Sequence, residues 1–435
     1  MSESSGERAG RRWPAVAAVA ALLAGAALTA GPAAESAGRS RLEARRPSDA
    51  ARWFARAVAL GAGDDVRLLL ARARRQAGDA GGFAEALKTA EQAGVSTEAI
   101  ARERLLAAAH AGRLDGVEDR LDDLLITAGD DGRVVVEAFA NGYIANYRLD
   151  EATRLLDLWA EAFPDDPQER LVRGRLLEHK GEWDAAAALY REAADAGHGP
   201  AAYNLGRLLL NRNDPAAAGE AYRGAARWLD DDAPAAVGLA HCLRTQGRRA
   251  EARAVIEPVV ARGGGSPAAF AQVGLPPAAA ASAALAELAQ LETAVGNHAE
   301  AADLLTRAVE RSPKDQTLHY LLGRSLAASG RSDEASEHLA YFERASEATE
   351  RLDKLMERLR ADPSDAGVRA EIGGVFLEHL SESQGRTWLR SALRIDPGNA
   401  VAHRLLADYY ARDPQTAAAA ERHRRLAGGG DANAG

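Results

Sequence analysis

Ten histidines and one cysteine, Cys242, are the side chains of this 435-residue sequence best suited to metal or nucleophilic chemistry. A zinc-hydrolase helix needs a His-Glu-x-x-His run, which puts two imidazoles one turn apart, and none occurs. With a single thiol the chain forms no internal disulfide, multi-thiolate metal site or haem-attachment pair. His241 adjoins Cys242, but consecutive helix residues point in different directions, so the two do not face each other as an activated pair. Cys242 therefore reads as a buried structural thiol. The glycine runs Gly263-Gly264-Gly265 and Gly428-Gly429-Gly430 lack the preceding strand and the Lys-Ser/Thr of a phosphate loop. Acidic pairs are many, and on amphipathic helices they form solvated faces. No catalytic residue, metal or cofactor is expected, which leaves recognition as the chemistry open to the chain.

The elements that hold these residues repeat. Residues 167–261 contain one unit three times. It runs Gly174, Leu177, Gly181, Ala186, Tyr190, then Gly206, Leu209, Asn213, Ala218, Tyr222, then Ala240, Leu243, Gly247, Ala252, Ile256. Each unit is an apolar run of period 3.6, a Gly or Asn break and a second such run, which predicts a helix-turn-helix. The small residues at 174, 206 and 240 and at 186, 218 and 252 mark close helix crossings. A larger side chain there overpacks the crossing at about 1–3 kcal/mol.

This pattern resembles the tetratricopeptide repeat, a helical hairpin of about 34 residues. Ala140 to Gly174 is 34 residues, Gly174 to Gly206 is 32, and Gly206 to Ala240 is 34. The short step is similar to the related Sel-one-like repeat. Further copies place Ala289, Gly323, Gly373 and Ala407 at the same position, and Pro164, Pro313 and Pro397 at the turns between repeats. Degenerate copies precede residue 140, with Gly78 and Gly112 at the break. The resemblance implies an all-α fold: a right-handed superhelical solenoid of stacked antiparallel helix hairpins, preceded here by one N-terminal membrane or signal helix.

The resemblance also implies function by binding, because a concave wall lined by the first helix of each hairpin holds extended peptides or partner helices. In register, that wall presents Asn141, Arg175, Glu178, His179, Asn204, Arg207, Asn211, His241, Arg244 and Arg324, of which Asn141, Arg175, Asn204, Arg207, Asn211, His241 and Arg244 are the candidate peptide-binding set. Guanidinium forks bind carboxylates bidentately and carboxamides hold peptide backbone, so the patch suits an acidic or C-terminal peptide segment. The competing reading is a solvated helix face in an arginine-rich chain. Family members that clamp terminal carboxylates use basic and Asn residues over consecutive repeats. Glu137, Leu171 and Tyr203 depart from that arrangement, so capture of chaperone tails does not carry over.

Composition fits helices packed on small residues: 47% of residues are hydrophobic, Ala dominates them, and aromatics are 5%. The net charge of −9 is dispersed, with no nucleic-acid footprint. Residues 1–12 are polar, with Arg8, Arg11 and Arg12. Residues 13–34 then carry no charge, and as a helix they span about 33 Å, enough for a bilayer core. They read as a single membrane anchor, with a cleaved signal peptide as the alternative. Arginines at 39, 41, 45 and 46 leave the positive-inside rule without a clean vote, and the default for such a segment puts the remainder in the periplasm. The expected organisation is then a linker at 35–48, an N-terminal repeat stack at 49–261 and a Gly/Pro-rich hinge at 262–280. A C-terminal stack at 281–427 and a disordered tail at 428–435 complete it. Within the second stack, residues 343–360 form a charged helix with one apolar face, Leu352, Leu355, Met356 and Leu359. The expected function is a membrane-tethered, non-enzymatic protein-binding scaffold of a bacterial envelope. A regulatory or assembly subunit of an envelope enzyme complex is one alternative. The other is a self-associating structural protein using a solenoid end or the 343–360 helix.

Overall fold

The computed structural model describes residues 30–428, which are helices and turns with no strand among them. They fall into two compact units. One holds the described residues up to Arg104 together with Pro267–Gly274; the other holds Leu105–Ser266 and the described chain from Leu275 onward.

The smaller unit contains α1 (30–43), α2 (Pro47–Ala59), α3 (Asp64–Gln76), α4 (Ala80–Gln92) and the start of α5 (Thr97–His110). Pro47 opens α2 where no backbone donor is needed, and Asp79 caps α4 by accepting from the Gly82 N–H at 2.8 Å. Ala34, Phe54, Leu70, Leu87 and Ile100 form its core. The stretch 35–48, expected as a linker, is helical through residue 43. The reason is packing: a Cβ on Gly38 would sit 2.6 Å from the Phe54 ring, and Arg39 bonds Glu35 and Asp65 at 2.9 Å each. Inside the stretch expected as a hinge, α15 (Pro267–Gln272) belongs to this unit, with Phe270 fully buried. Of the apolar run 13–34, residues 13–29 lie outside the described residues, while Ala34 is packed in the core of α1–α4. No helix among the described residues is long and apolar enough to cross a membrane.

The larger unit begins with the end of α5 and α6 (Leu121–Ile126), and then stacks eight hairpins. Their helices are α7 (Gly132–Ala145) with α8 (Leu149–Ala162), α9 (Pro167–Lys180) with α10 (Trp183–Asp195), and α11 (Gly199–Asn211) with α12 (Pro215–Trp228). Next come α13 (Ala233–Thr245) with α14 (Arg249–Ala261), and α16 (Ala279–Ala294) with α17 (His298–Arg311). The last are α18 (Gln316–Ala328) with α19 (Ser332–Ala361), α20 (Ala366–Val375) with α21 (Glu382–Ile395), and α22 (Ala400–Tyr410) with α23 (Ala417–Ala427). The breaks read from sequence are left-handed turn residues: Gly181 has φ 81°, Asn213 59° and Gly247 78°. The small-residue positions are close crossings as expected. A Cβ on Gly174 would meet Tyr190 at 2.4 Å, one on Gly206 would meet Tyr222 at 3.0 Å, and one on Gly373 would meet Leu389 at 2.7 Å.

From α7 to α16 the successive first helices touch one another, and each second helix packs on the first helix that follows. The first helices are therefore the inner layer. Because α16 packs directly on α13 and α14, the hairpin stack continues across the 262–280 excursion. Helix α19 is 30 residues long, and the expected 343–360 segment is its C-terminal half. Its Leu355 and Leu359 are buried in a cluster with Tyr147, Val368, Ile372 and Trp388, so that apolar face is covered within the chain and not offered to a second copy. This cluster also returns the stack to its own start. Tyr147, in the turn of the first hairpin, packs on Trp388 of the seventh at a centroid distance of 6.1 Å. Tyr147 holds φ at 56° in the turn position that Gly or Asn occupies elsewhere, a strain of about 1–3 kcal/mol offset by its ring packing. The expected tail lies outside the described residues beyond Gly428.

Candidate functional site

The inner layer carries the expected groove residues, and the structure sorts them into two clusters and two outlying asparagines. Asn141 on α7 donates from Nδ2 to the Glu137 carbonyl of its own helix at 2.9 Å. Asn211 ends α11 and is exposed.

The first cluster joins α9, α10 and α11. Arg207 Nη2 donates to both oxygens of Glu178, at 2.6 Å to Oε2, and the Tyr190 hydroxyl donates to the same carboxylate. Burial works to lower the Arg207 pKa, but the Glu178 bond and charge override it and hold the guanidinium more firmly protonated. Burial, then the Glu178 charge, raises the Tyr190 hydroxyl. Asn204 is 4% exposed and donates to the Pro200 carbonyl at 2.8 Å, while its Oδ1 accepts from Arg207 at 3.4 Å. Arg175, one turn before Glu178 on α9, makes no hydrogen bond or ion pair with any described residue, and its Nη2 is buried without a partner. Burial lowers its pKa.

The second cluster joins α13 to α16. Glu287, 5% exposed, meets His241 Nδ1 at 2.8 Å and accepts from Arg244 Nε at 2.9 Å. Burial alone would raise the Glu287 carboxyl; the bonds and charges of His241 and Arg244 outweigh it and hold the group below its ordinary value. Cys242, between them in sequence, is fully buried, and burial followed by the Glu287 charge pushes its thiol up to about 11. Such a thiol is inert at neutral pH.

Two of the three groove arginines are thus already matched by carboxylates, Glu178 and Glu287. Glu178 stands among the inward-facing residues read from sequence, but its pairing with Arg207 of the next repeat is not visible there. Glu287 was hidden, because the 262–280 insertion removes the 34-residue register that would have placed α16 against α13.

Among the described residues no three His, Cys, Asp or Glu side chains are placed to hold a metal ion. Histidines do pair twice in one geometry. His319 Nδ1 meets His338 Nδ1 at 3.0 Å, and His403 Nδ1 meets His423 Nδ1 at 2.8 Å. The Nε2 atoms of His319 and His403 lie on the Pro313 and Pro397 carbonyls at 3.1 and 2.9 Å. A carbonyl only accepts, so Nε2 is the protonated nitrogen of the first ring and its Nδ1 accepts from the second. Each pair ties the two helices of a hairpin to the preceding inter-repeat turn.

Among solved structures, the chain is similar to the human IFIT1 dimer with PPP-AAAA, at 14% identity over 84% of this chain and 90% of that one, with a TM-score of 0.40. It is also similar to yeast Tom70, at 13% identity over 93% and 92% of the two chains, with a TM-score of 0.33. The Cut9–Hcn1 hetero-tetramer of the APC/C gives 15% identity over 83% and 82%, with a TM-score of 0.33. No curated protein sequence matches the chain. The tetratricopeptide-repeat family profiles match three segments, where the structure has stacked hairpins with small residues at their crossings. Residues 138–200, 209–273 and 292–359 of this chain are tetratricopeptide repeats.

Proposed function

We propose that this protein is a non-catalytic scaffold that holds an acidic peptide segment of a partner protein on the inner layer of its repeats, with Arg175 as the cation that meets it. Tetratricopeptide repeats at three places support the scaffold reading. The observation that carries the site is the buried, unpartnered Nη2 of Arg175 beside the satisfied Arg207–Glu178 pair. Arg175 has no ion-pair partner among the described residues and is only half-buried, so a partner carboxylate that reaches its other donors supplies the counter-charge. Arg207 and Arg244 serve instead to fix α9 to α11 and α13 to α16. The uncharged run 13–29 ahead of α1 tethers the scaffold to a bacterial cell membrane, with the repeats in the periplasm.

The test is a cross-linked pull-down from membranes with wild type and Arg175→Gln, each competed with a glutamate-rich peptide. The expected result is a partner displaced by the peptide and lost in the variant. An unchanged partner set in the variant overturns the groove reading. Recovery of the protein wholly in the soluble fraction, at full length, overturns the tether. Arg207→Glu and Arg244→Glu are poorer probes, since each also breaks an ion pair within the fold.

A further inference from the structure

Where the stack returns to its start, a half-open cavity of about 500 Å³ lies between residues 147–151 and residues 363–395. Four cations line it, Arg148, Lys180, Arg369 and Arg394, against two carboxylates, Asp150 and Glu151. Arg148 is already matched, donating at 2.7 Å both to Glu151 and to Glu118. The other three cations make no ion pair with any described residue. Lys180 donates to the Thr153 hydroxyl at 3.1 Å, and Arg394 Nη2 to Asn146 Oδ1 at 3.0 Å. Arg369 is 3% exposed, and every acceptor it uses is neutral. Its bonds run to the Pro363 carbonyl at 3.0 and 2.7 Å, the Asn146 carbonyl at 2.8 Å, the Ser391 hydroxyl at 2.6 Å and the Tyr147 carbonyl at 3.5 Å.

Hydrogen bonds to neutral groups satisfy a guanidinium's donors without cancelling its charge. A buried cation in that state leaves a positive field over the adjacent space, strengthened by low-dielectric walls. Burial, then the charges of Arg394 and Arg148, pull the Arg369 guanidinium down to about 10, the direction an uncompensated cluster produces. Next to this charge the cavity offers apolar wall from Leu149 and from Ile395, a side chain 43% exposed at the rim. The volume is that of a small-molecule site.

We propose that this cavity binds a small organic anion, its phosphate or carboxylate head held by Arg394 and Lys180 within the field of Arg369, and its apolar body on Leu149 and Ile395. Arg394 reaches the ligand with donors it does not use on Asn146, and Lys180 with donors it does not use on Thr153. Because Arg369 and Asn146 bind across the return contact, an anion here also holds the first and seventh hairpins together. This site is separate from the groove around Arg175.

The test is isothermal titration of the full chain with phenyl phosphate, benzoate and inorganic phosphate, which vary head and body separately. One aromatic anion is expected to bind with one-site stoichiometry, more weakly as salt is raised, and the tighter of the two assigns the head as phosphate or carboxylate. Arg394→Gln and Lys180→Gln are each expected to weaken it by about tenfold or more, and Arg175→Gln to leave it unchanged. Absence of binding by both aromatic anions at millimolar concentration overturns the proposal, as does wild-type affinity in Arg394→Gln. Inorganic phosphate binding as tightly as phenyl phosphate overturns the organic body.

Discussion

The arginines of the groove and those of the return contact have the same chemistry and opposite surroundings. Arg207 and Arg244 each face a carboxylate one repeat away, Glu178 and Glu287, so their charge is spent on joining neighbours. Arg369 and Arg394 join residues more than 220 positions apart and face carbonyls, a hydroxyl and a carboxamide. The difference teaches that an arginine's role here is set by whether an acid completes it. Paired, it is a strut between adjacent hairpins. Unpaired, it is a strut with charge left over, available to a ligand.

The sharpest way to break this comparison is Arg369→Met. It leaves the Pro363 and Asn146 carbonyls without their donor, so chemical denaturation should show a loss of about 3 kcal/mol or more. A loss below about 1 kcal/mol would mean that the Tyr147–Trp388 contact holds the return by itself.

Glu287→Gln is expected to cost about 2 kcal/mol, since it removes the counter-charge of Arg244 and leaves that part-buried cation unpaired. The pH dependence follows from the sign of the shift. The Glu287 carboxyl is held below its ordinary value in the folded protein, so its contribution is complete above pH 4–5 and is lost as pH falls through the folded pKa. Stability of the Glu287→Gln variant should therefore depend less on pH in that acid range. An equal dependence in variant and wild type would show that the pair adds nothing.

The smallest effect belongs to the histidine pairs, which do with a shared proton what Glu287 does with charge. Burial lowers His319 and His423, so their folded forms bind a proton less readily than the unfolded chain. Their contribution is present above the unfolded pKa near 6.5 and declines as pH drops below it. Thermal melting followed between pH 7.5 and 5.5 should fall by a few degrees, and His319→Gln with His423→Gln should flatten the trend. A midpoint that stays constant across that range in the wild type would remove the pairs from the stability account.

The hairpins were legible residue by residue. Gly181, Asn213 and Gly247 announce their turns because a left-handed φ is a local demand that few residues meet. Gly174 and Gly206 announce their crossings because Tyr190 and Tyr222 lie a fixed number of residues later in the same hairpin. The groove set was legible as positions on inward-facing helices and illegible as electrostatics. The pairing of Arg207 and Arg244 was not visible because their acids sit on adjacent repeats, and in the second case beyond an insertion that breaks the period. Residues 35–48 looked like a linker from their Ser, Gly and Arg content, yet Gly38 is there to let α1 approach Phe54, a contact that composition does not encode.

By itself the sequence determined the hairpin, its turn and its small-residue crossing, since all three depend on neighbours within one repeat. Only the tertiary structure decided that the 343–360 face is covered, that Arg175 stands without a carboxylate while Arg207 does not, and that Arg369 clasps the first hairpin from the seventh. The second rests on the neighbouring repeat, and the first and third on groups brought together across many repeats. A small angle per step, summed over several steps, decides which residues meet, and no local pattern in the chain records that sum.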